Sequence, residues 1–151
     1  MILRKITFND KTEVCKLIKE GRIIMNKMCS YKINKTSCDS QSICRVFREY
    51  MSRKHFFYCI EEKKEVMAFL YGYVRKFPLC KAGYIDFVVV SSKHRGKGYS
   101  TQLLNEFYRW LKRKKIDYCA LHVLDKNKKA FNIYKKWGFG TAGLVMTKKI
   151  G

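Results

Sequence analysis

The sequence has little proline and only a modest amount of glycine. Pro78 is the single proline, and nine glycines are spread over 151 residues. Neither a low-complexity linker nor an internal repeat is present. A chain of this length can bury about 70% of the surface that its unfolded form exposes. We therefore expect one domain that spans residues 1–151.

Signals for export or membrane insertion are also lacking. The first residues, Met1–Lys5, do not contain the apolar core of roughly 7 to 15 residues that marks a signal peptide. No apolar run approaches the roughly 18 residues that span a bilayer. The seven cysteines form no CxxC pair and no Cys/His pattern with zinc-ligand spacing. We expect a cytoplasmic protein with reduced thiols, no metal and no membrane partner.

Acidic residues are scarce, since 33 basic residues face only 12 acidic ones, for a net charge of +21. A positive field of this size favours a phosphorylated cofactor, an acidic substrate or nucleic acid. A lysine-rich compositional bias without functional meaning explains the same number equally well. The basic run 112–115 allows two readings, an acidic partner or, as we favour, cations that complement a helix C-terminus.

Hydrophobic periodicity predicts a mixed α+β chain with a largely antiparallel sheet. Strands are predicted at 2–8, 55–60, 66–74, 83–90, 118–123 and 144–149. Helices are predicted from Asn9 or Asp10 to a stop at Gly21 or onward to Met28, from Asp39 or Ser40 to Met51, from the glycine loop to about 114, and at 126–137. Residues 30–38 are predicted to be a loop, and Gly72 a bulge or a site of close approach.

The segment 94–100, His-Arg-Gly-Lys-Gly-Tyr-Ser, lies between the apolar run 87–90 and an amphipathic stretch. This order predicts a strand, a glycine loop and a helix. The first amides of a helix lack internal partners and carry the positive end of its dipole, so a phosphate or pyrophosphate is expected there. The dinucleotide pattern G-x-G-x-x-G fails at Thr101, and the P-loop pattern fails because Gly98 follows Lys97.

Residues 95–100 resemble the acetyl-CoA loop Q/R-x-x-G-x-G/A of the GCN5-related N-acetyltransferases (GNAT), except that serine occupies position 100. A second signature of that family, L-x-V, N-x-x-A and Y-x-x-x-G-F, is similar to Leu121, Val123, Asn127, Ala130, Tyr134, Gly138 and Phe139. The resemblance is strong over 84–139 and only architectural before it. It implies the GNAT fold: a mixed, mostly antiparallel sheet that splays at the cofactor strand, flanked by about four helices. Residues 1–82 would carry the acceptor-site helices and 83–139 the acetyl-CoA core.

The resemblance also implies roles for individual residues. The backbone amides from Gly96 to Thr101 would bind the pyrophosphate, and the splayed strand would offer backbone groups to the pantetheine arm. Arg95 and Lys97 would add charge nearby. The expected acetyl-CoA-binding residues are Val88, Val90, Arg95, Gly96, Lys97, Gly98, Tyr99, Ser100, Thr101 and Asn127.

Two residues are candidates for catalysis. Tyr134 matches the family tyrosine that protonates the departing CoA sulfur. Asp86 matches a position where several family members carry a glutamate that acts as general base, directly or through water. Strand alternation places Asp86 on one face with Tyr84 and Val88. The alternatives are a core aromatic for Tyr134, a solvent-facing ion pair for Asp86, and a helix N-cap for Asn127.

The function implied is transfer of an acetyl group from acetyl-CoA to a primary amine, directly and in a ternary complex. The N-terminal helices and the hairpin loop at 77–81 are expected to build the acceptor site. Only Asp86, Glu49, Asp39 and Glu20 could line an acidic cleft, so a small amine, an amino-acid-like amine or a peptide amine is favoured over an aminoglycoside or polyamine.

Two alternatives stay open. One is a catalytically silent module of the same fold that binds nucleic acid or the ribosome through its basic surface. Another is an enzyme that transfers a longer acyl chain. Family members are often dimers, which makes a homodimer a further expectation.

Overall fold

The computed structural model describes residues 1–29, 39–52, 55–78, 80–143 and 146. Five strands and four α-helices are formed within these residues. In chain order they are β1 (Ile2–Lys5), α1 (Lys11–Met28), α2 (Ser40–Ser52), β2 (Phe56–Glu62), β3 (Glu65–Lys76), β4 (Lys81–Val90), α3 (Tyr99–Arg113), β5 (Cys119–Leu121) and α4 (Lys128–Lys136).

The five strands form one sheet in the order β1-β2-β3-β4-β5. Each neighbouring pair is antiparallel except β4 and β5, which are parallel. Parallel neighbours need a crossover connection, and α3 supplies it. The predicted fold class, a mixed and mostly antiparallel sheet flanked by four helices, is confirmed for the described residues.

The sheet is covered on both faces. One core joins α1 and α2 to β2 and β3 through side chains that include Leu17, Phe47 and Phe69. The second core joins α3 to the opposite face through Leu103, Phe107 and Leu111. Helices α1, α2 and α3 turn their apolar stripes to the sheet, as the three-and-four spacing of their apolar residues requires.

Gly21 does not end the first helix, because α1 runs without interruption to Met28. A Cβ at this position would lie 2.7 Å from Cζ of Phe87 and 2.9 Å from Cγ2 of Val89. Glycine therefore lets α1 approach β4 closely. Of the two predicted ends of this helix, the continuation to Met28 is confirmed and the stop at Gly21 was wrong, because this glycine permits close packing and does not end the helix.

Other predicted elements differ at their ends. The first strand stops at Lys5, not at residue 8, because Thr7 and Asp10 form a tight turn in which Asp10 Oδ2 accepts from the Thr7 amide at 2.8 Å. The helix predicted from Asp39 or Ser40 is confirmed, and Asp39 Oδ1 accepts from the Ser42 amide at 2.7 Å. The loop at 30–38 lies outside the described residues, as does all of the closing strand at 144–149 except Met146.

A β-bulge interrupts β4 at Asp86. Tyr71 of β3 pairs with Phe87 and the next residue, Gly72, pairs with Ile85, so Asp86 is an extra residue. The predicted irregularity at Gly72 is thereby confirmed, and a Cβ on Gly72 would lie 2.8 Å from the Phe107 ring.

The bulge also changes which side chains share a face. Ile85 and Val88 pack on the α3 side, whereas Phe87 packs on the α1 side. Asp86 therefore lies on the α1 side with Tyr84 and Phe87, not with Val88. The expectation that Asp86 and Val88 share a face was wrong, because simple alternation breaks at a bulge.

Among the described residues, none of the helices has the length and hydropathy needed to cross a membrane. The six described cysteines are free thiols, and Cys38 lies outside the described residues.

Candidate active site

The sheet opens where β4 leaves β5. The two strands pair only at three positions, Gly83 to Ile85 of β4 with Cys119 to Leu121 of β5. From Asp86 to Val90, β4 continues beside β3 alone in the part of the chain that the structure describes. The predicted divergence of these strands is present, and it leaves one edge of β4 without a strand partner there.

The backbone direction identifies which residues point into this gap. The Ser91 amide donates to the Met67 carbonyl at 2.9 Å, so residue 91 faces β3. Backbone groups alternate along an antiparallel strand, and Val88 and Val90 therefore turn their N–H and C=O groups toward the open edge. Their side chains meanwhile pack on the α3 core. Core packing and an available backbone edge are thus combined in the same residues.

The glycine loop follows at the end of β4. A short 3-10 turn at Ser92–His94 leads into Gly96 and Gly98, whose φ angles are +81° and +76°. This left-handed region disfavours residues with a Cβ. A Cβ at either glycine would meet nothing within 4 Å. Backbone angle, and not crowding by the protein, requires glycine here, and the space beside the loop is open.

The loop leads directly into the N-terminus of α3. Gly98 is the N-cap and has no side chain with which to cap the helix, and the first intrahelical bond runs from the Gln102 amide to the Gly98 carbonyl at 3.1 Å. The amides of residues 99–101 therefore lack intrahelical acceptors. The Tyr99 side chain is buried in the α3 core, so this residue offers its backbone only. Such an end fits a pyrophosphate.

The two cations of the loop behave differently. Arg95 turns back to α1, where Nη2 donates to Glu20 Oε1 at 2.9 Å. Glu20 Oε1 also accepts from the Ser92 amide at 2.9 Å, and Arg95 Nε lies 3.4 Å from the Val90 carbonyl oxygen. Lys97 is exposed. Arg95 therefore helps to shape the loop through its contact with α1, whereas Lys97 adds a second exposed positive charge.

Asn127 begins α4, and its Oδ1 accepts from the Ala130 amide at 3.2 Å. This is the geometry of a helix N-cap, the alternative stated from the sequence. The capping bond uses the carbonyl end of the side chain and leaves the amide end for another partner.

Tyr134 lies two turns further along α4. Its ring contacts Trp137 and Phe139, with centroids 5.6 and 6.0 Å away, and both of these rings pack on the α3 core. Burial raises the pKa of Tyr134 above its ordinary value. The phenol therefore keeps its proton at neutral pH, as a proton donor must.

Asp86 is on the other face of the sheet and receives a hydrogen bond from α2. Tyr50 Oη donates to Asp86 Oδ2 at 3.1 Å. Burial, followed by the negative charge of Asp86, raises the pKa of Tyr50 well above its ordinary value. The phenol therefore stays a donor and holds one carboxylate oxygen of Asp86. The positive charge of Arg22 acts in the opposite sense on Tyr50.

Aromatic rings extend from this hydrogen bond across the sheet. Tyr50 stacks on Tyr71 with centroids 3.5 Å apart, and Tyr71 Oη lies 2.6 Å from His55 Nδ1. His55 stacks on Tyr73, and Tyr73 contacts Tyr84. We call this group, Tyr50, His55, Tyr71, Tyr73 and Tyr84, the aromatic face. It surrounds the side of β4 from which Asp86 projects.

Sequence reasoning missed the roles of Glu20 and Tyr50. Glu20 was named only among the acids that could line an acidic cleft, whereas the structure shows that it binds Arg95 of the glycine loop. Tyr50 was assigned to the apolar stripe of α2, where its ring does pack. Its position in that stripe carried a signal, since a buried tyrosine hydroxyl usually has a polar partner. The partner itself is 36 residues away in the chain and is visible only in the fold.

A comparison with protein families finds a match over most of the chain. The Acetyltransferase (GNAT) family matches residues 25–139. The chain belongs to the GNAT family of acetyltransferases. The family resemblance proposed from the loop and the second signature is confirmed, as is the assignment of the chain to the acyl-CoA-dependent acyltransferases. Among curated proteins, none matches the sequence significantly.

Solved structures support the fold over the whole chain. A tetramutant of the BH1408 protein from Bacillus halodurans has a TM-score of 0.81 and 20% identity, covering 99% of this chain and 100% of its own. The aminoglycoside 6'-N-acetyltransferase AAC(6')-IG from Acinetobacter haemolyticus has a TM-score of 0.75 and 16% identity, covering 100% of both. A predicted acetyltransferase from Clostridium acetobutylicum, solved with acetyl-CoA, has a TM-score of 0.74 and 19% identity, covering 97% and 95%.

Proposed function

We propose that this GNAT protein transfers an acetyl group from acetyl-CoA to a primary amine, directly and in a ternary complex. The observation that carries the proposal is the continuity of three features. The open edge of β4 at Val88 and Val90 runs into the left-handed glycine loop, which runs into the uncapped end of α3. A ligand with an amide-rich arm and a pyrophosphate fits such a path. Acetyl-CoA has both parts, and the Clostridium acetobutylicum relative was solved with it.

The residues of the path would share the binding. Val88 and Val90 would pair with the pantetheine arm as a neighbouring strand does. Backbone amides from Gly96 to Thr101 would hold the pyrophosphate, with Lys97 supplying charge. Asn127 would contribute its remaining amide group from the start of α4.

Bound acetyl-CoA supplies the acetyl group as an activated thioester. On the α1 side of the sheet, Asp86 would accept a proton from the acceptor's ammonium group, either directly or through water, and the resulting free amine would attack the thioester. On the α3 side, Tyr134 would donate its phenolic proton to the departing sulfur. Burial raises the pKa of this phenol above its ordinary value, whereas a thiol titrates at about 8.5, so transfer of the proton to the thiolate is uphill and this assistance is secondary.

We assign the acceptor to the small amines, amino-acid-like amines or peptide amines. The net charge of +21 opposes the approach of a polycation such as spermidine or an aminoglycoside. The aminoglycoside acetyltransferase among the structural relatives has 16% identity and supports the fold alone. A cytoplasmic location, a single domain and a homodimer stay predictions.

The deciding experiment measures acetyl-CoA binding by calorimetry and CoA release against a panel of amines. We expect binding of acetyl-CoA and turnover with small monoamines or peptide amines. Steeply salt-dependent RNA binding without acetyl-CoA affinity would favour the silent module instead. Kanamycin or spermidine as the clearly best acceptor would overturn the acceptor class. Parallel titrations with succinyl-CoA and myristoyl-CoA test the chain length.

A further inference from the structure

Arg75 lies near the C-terminal end of β3, beside the aromatic face. Its guanidinium carbon lies 5.1 Å from the centroid of the Phe77 ring and 5.0 Å from that of the Tyr84 ring. Rings at this distance hold the planar guanidinium by cation–π attraction. Arg75 is exposed, and it forms no ion pair with any residue for which the structure gives a position. A preoriented guanidinium is therefore presented to solvent.

Arg75 and Asp86 are on the same face of the sheet. Along β3, Val74 packs on the α3 side, whereas Tyr73 packs on the α1 side, and Arg75 alternates back to the face of Tyr73. The contact of Arg75 with the Tyr84 ring agrees with this placement. Tyr84 shares that face with Asp86, as the bulge requires.

The spacing of these charges suits one small molecule. Tyr84, over which Arg75 lies, and Asp86 are two residues apart, which corresponds to roughly 7 Å along a strand. The ring of Tyr84, on which the guanidinium lies, is on the same face as Asp86. A ligand with an amine at one end and an anion at the other can reach both groups without leaving the aromatic surface.

Taking the proposed function as its basis, we propose that the acceptor is an amine that also carries an anionic group, with the anion bound by Arg75 and the amine beside Asp86. A guanidinium binds carboxylate and phosphate oxygens with two parallel N–H groups, and stacking reduces the entropy lost on binding. The positive field of the chain attracts such an acceptor, whereas it repels a polycation. Carboxylate and phosphate share this chemistry.

The experiment compares matched acceptors that differ only in the anion. The pairs are β-alanine with its amide, and glucosamine 6-phosphate with glucosamine. We expect kcat/KM to be about tenfold to a hundredfold higher for the anionic member of at least one pair, which is the range of a charged hydrogen bond. The pair with the larger preference distinguishes carboxylate from phosphate.

The variant Arg75→Gln should remove this preference by lowering kcat/KM for the anionic member. Arg75→Lys should retain part of the preference, because a lysine keeps the positive charge but lacks the two parallel N–H groups of a guanidinium. Lys76→Gln is the matched control, since Lys76 is an exposed lysine one residue further along β3, which strand alternation places on the opposite face, and its loss changes the net charge equally. The control should keep the preference.

The outcomes separate this inference from the proposed function. Acetyl-CoA binding with equal use of both members, with no use of any of them, or with a preference unchanged in Arg75→Gln overturns the anionic acceptor and leaves the donor site standing. Absence of acetyl-CoA binding in the wild type overturns the proposed function as well.

Discussion

The donor side of the proposed site and its acceptor side are built by different means. The donor side is one continuous stretch at 88–101, and it offers backbone groups whose positions follow from strand direction, two left-handed glycines and a helix end. The acceptor side is made of side chains from α2, β3 and β4, such as Tyr50, Arg75 and Asp86. A backbone site is specified by local sequence, whereas a side-chain site requires the fold to assemble it.

One residue joins the two sides. Glu20 belongs to α1 on the acceptor side, yet it binds both Arg95 and the Ser92 amide of the donor loop. Variants that damage one side, the other side or this connection should therefore give different kinetic signatures.

The largest effect is expected for Asp86→Asn, which removes the proposed base from the acceptor side. General base catalysis contributes about 100-fold to 10,000-fold, so kcat should fall within this range while the dissociation constant of acetyl-CoA stays the same. Steady-state kinetics together with calorimetry measure both quantities. Asp125→Asn, an exposed aspartate before α4, is the control. An unchanged kcat with a raised acceptor KM would show that Asp86 attracts the amine and does not deprotonate it.

Gly98→Val should produce the opposite signature on the donor side. Valine at a φ of +76° is strained by about 1 to 2 kcal/mol, and its side chain would occupy the open space of the loop. We expect the dissociation constant of acetyl-CoA to rise about 10-fold to 100-fold, with kcat at saturation retained. Calorimetric titration checks this.

Gly140→Val provides the comparison for Gly98→Val, since a Cβ at Gly140 also meets nothing within 4 Å and its φ is not in the left-handed region. Equal affinities in the two variants would remove the loop from the donor site.

Tyr134→Phe tests whether donation of the phenolic proton to the departing sulfur contributes to turnover. We expect kcat to fall about tenfold, at the low end for acid catalysis because a thiolate departs without much help. Affinity for acetyl-CoA should change little. Tyr118→Phe removes a hydroxyl from a tyrosine that is 67% exposed and serves as control. Wild-type turnover in Tyr134→Phe would leave Tyr134 with the packing role alone.

The smallest effect is expected for Glu20→Gln, which weakens the connection between the sides. Exposed ion pairs contribute about 0.2 to 1 kcal/mol, so the dissociation constant of acetyl-CoA should rise about threefold. Glu13→Gln on the same helix removes a comparable exposed pair with Lys16 and should have no effect. If both variants bind acetyl-CoA alike, the contact of Glu20 with Arg95 and Ser92 has no bearing on the donor site.

Most of the fold was predictable from the sequence, because the spacing of apolar residues along the chain indicates which side of a helix or strand is buried. Helices α2 to α4 and strands β2 to β5 lie near their predicted positions. The errors have local causes. Gly21 was considered as one of two possible helix ends, although a glycine inside a helix also permits close packing. The first strand was drawn too long because its apolar alternation continues into a turn built by Thr7 and Asp10.

The candidate site was predictable in unequal parts. The glycine loop, the open edge of β4 and the start of α4 follow from contiguous motifs. The hydrogen bond from Tyr50 to Asp86 and the stacking of Arg75 on Tyr84 depend on tertiary proximity, which no spacing in the sequence encodes. The prediction that Asp86 and Val88 share a face was wrong because a bulge shifts the alternation of side chains along a strand by one residue. A bulge leaves little trace in the composition of the strand.

The extra residue of β4 has a consequence for how this strand tolerates change. With Asp86 absent, Ile85 and Phe87 would follow one another on opposite faces, as an uninterrupted strand demands, and no neighbouring side chain would have to turn over. The fold therefore has no need of the aspartate, and a chain shortened by this one residue can retain the whole sheet. The acidic group at the gap is an insertion into a strand that is complete without it.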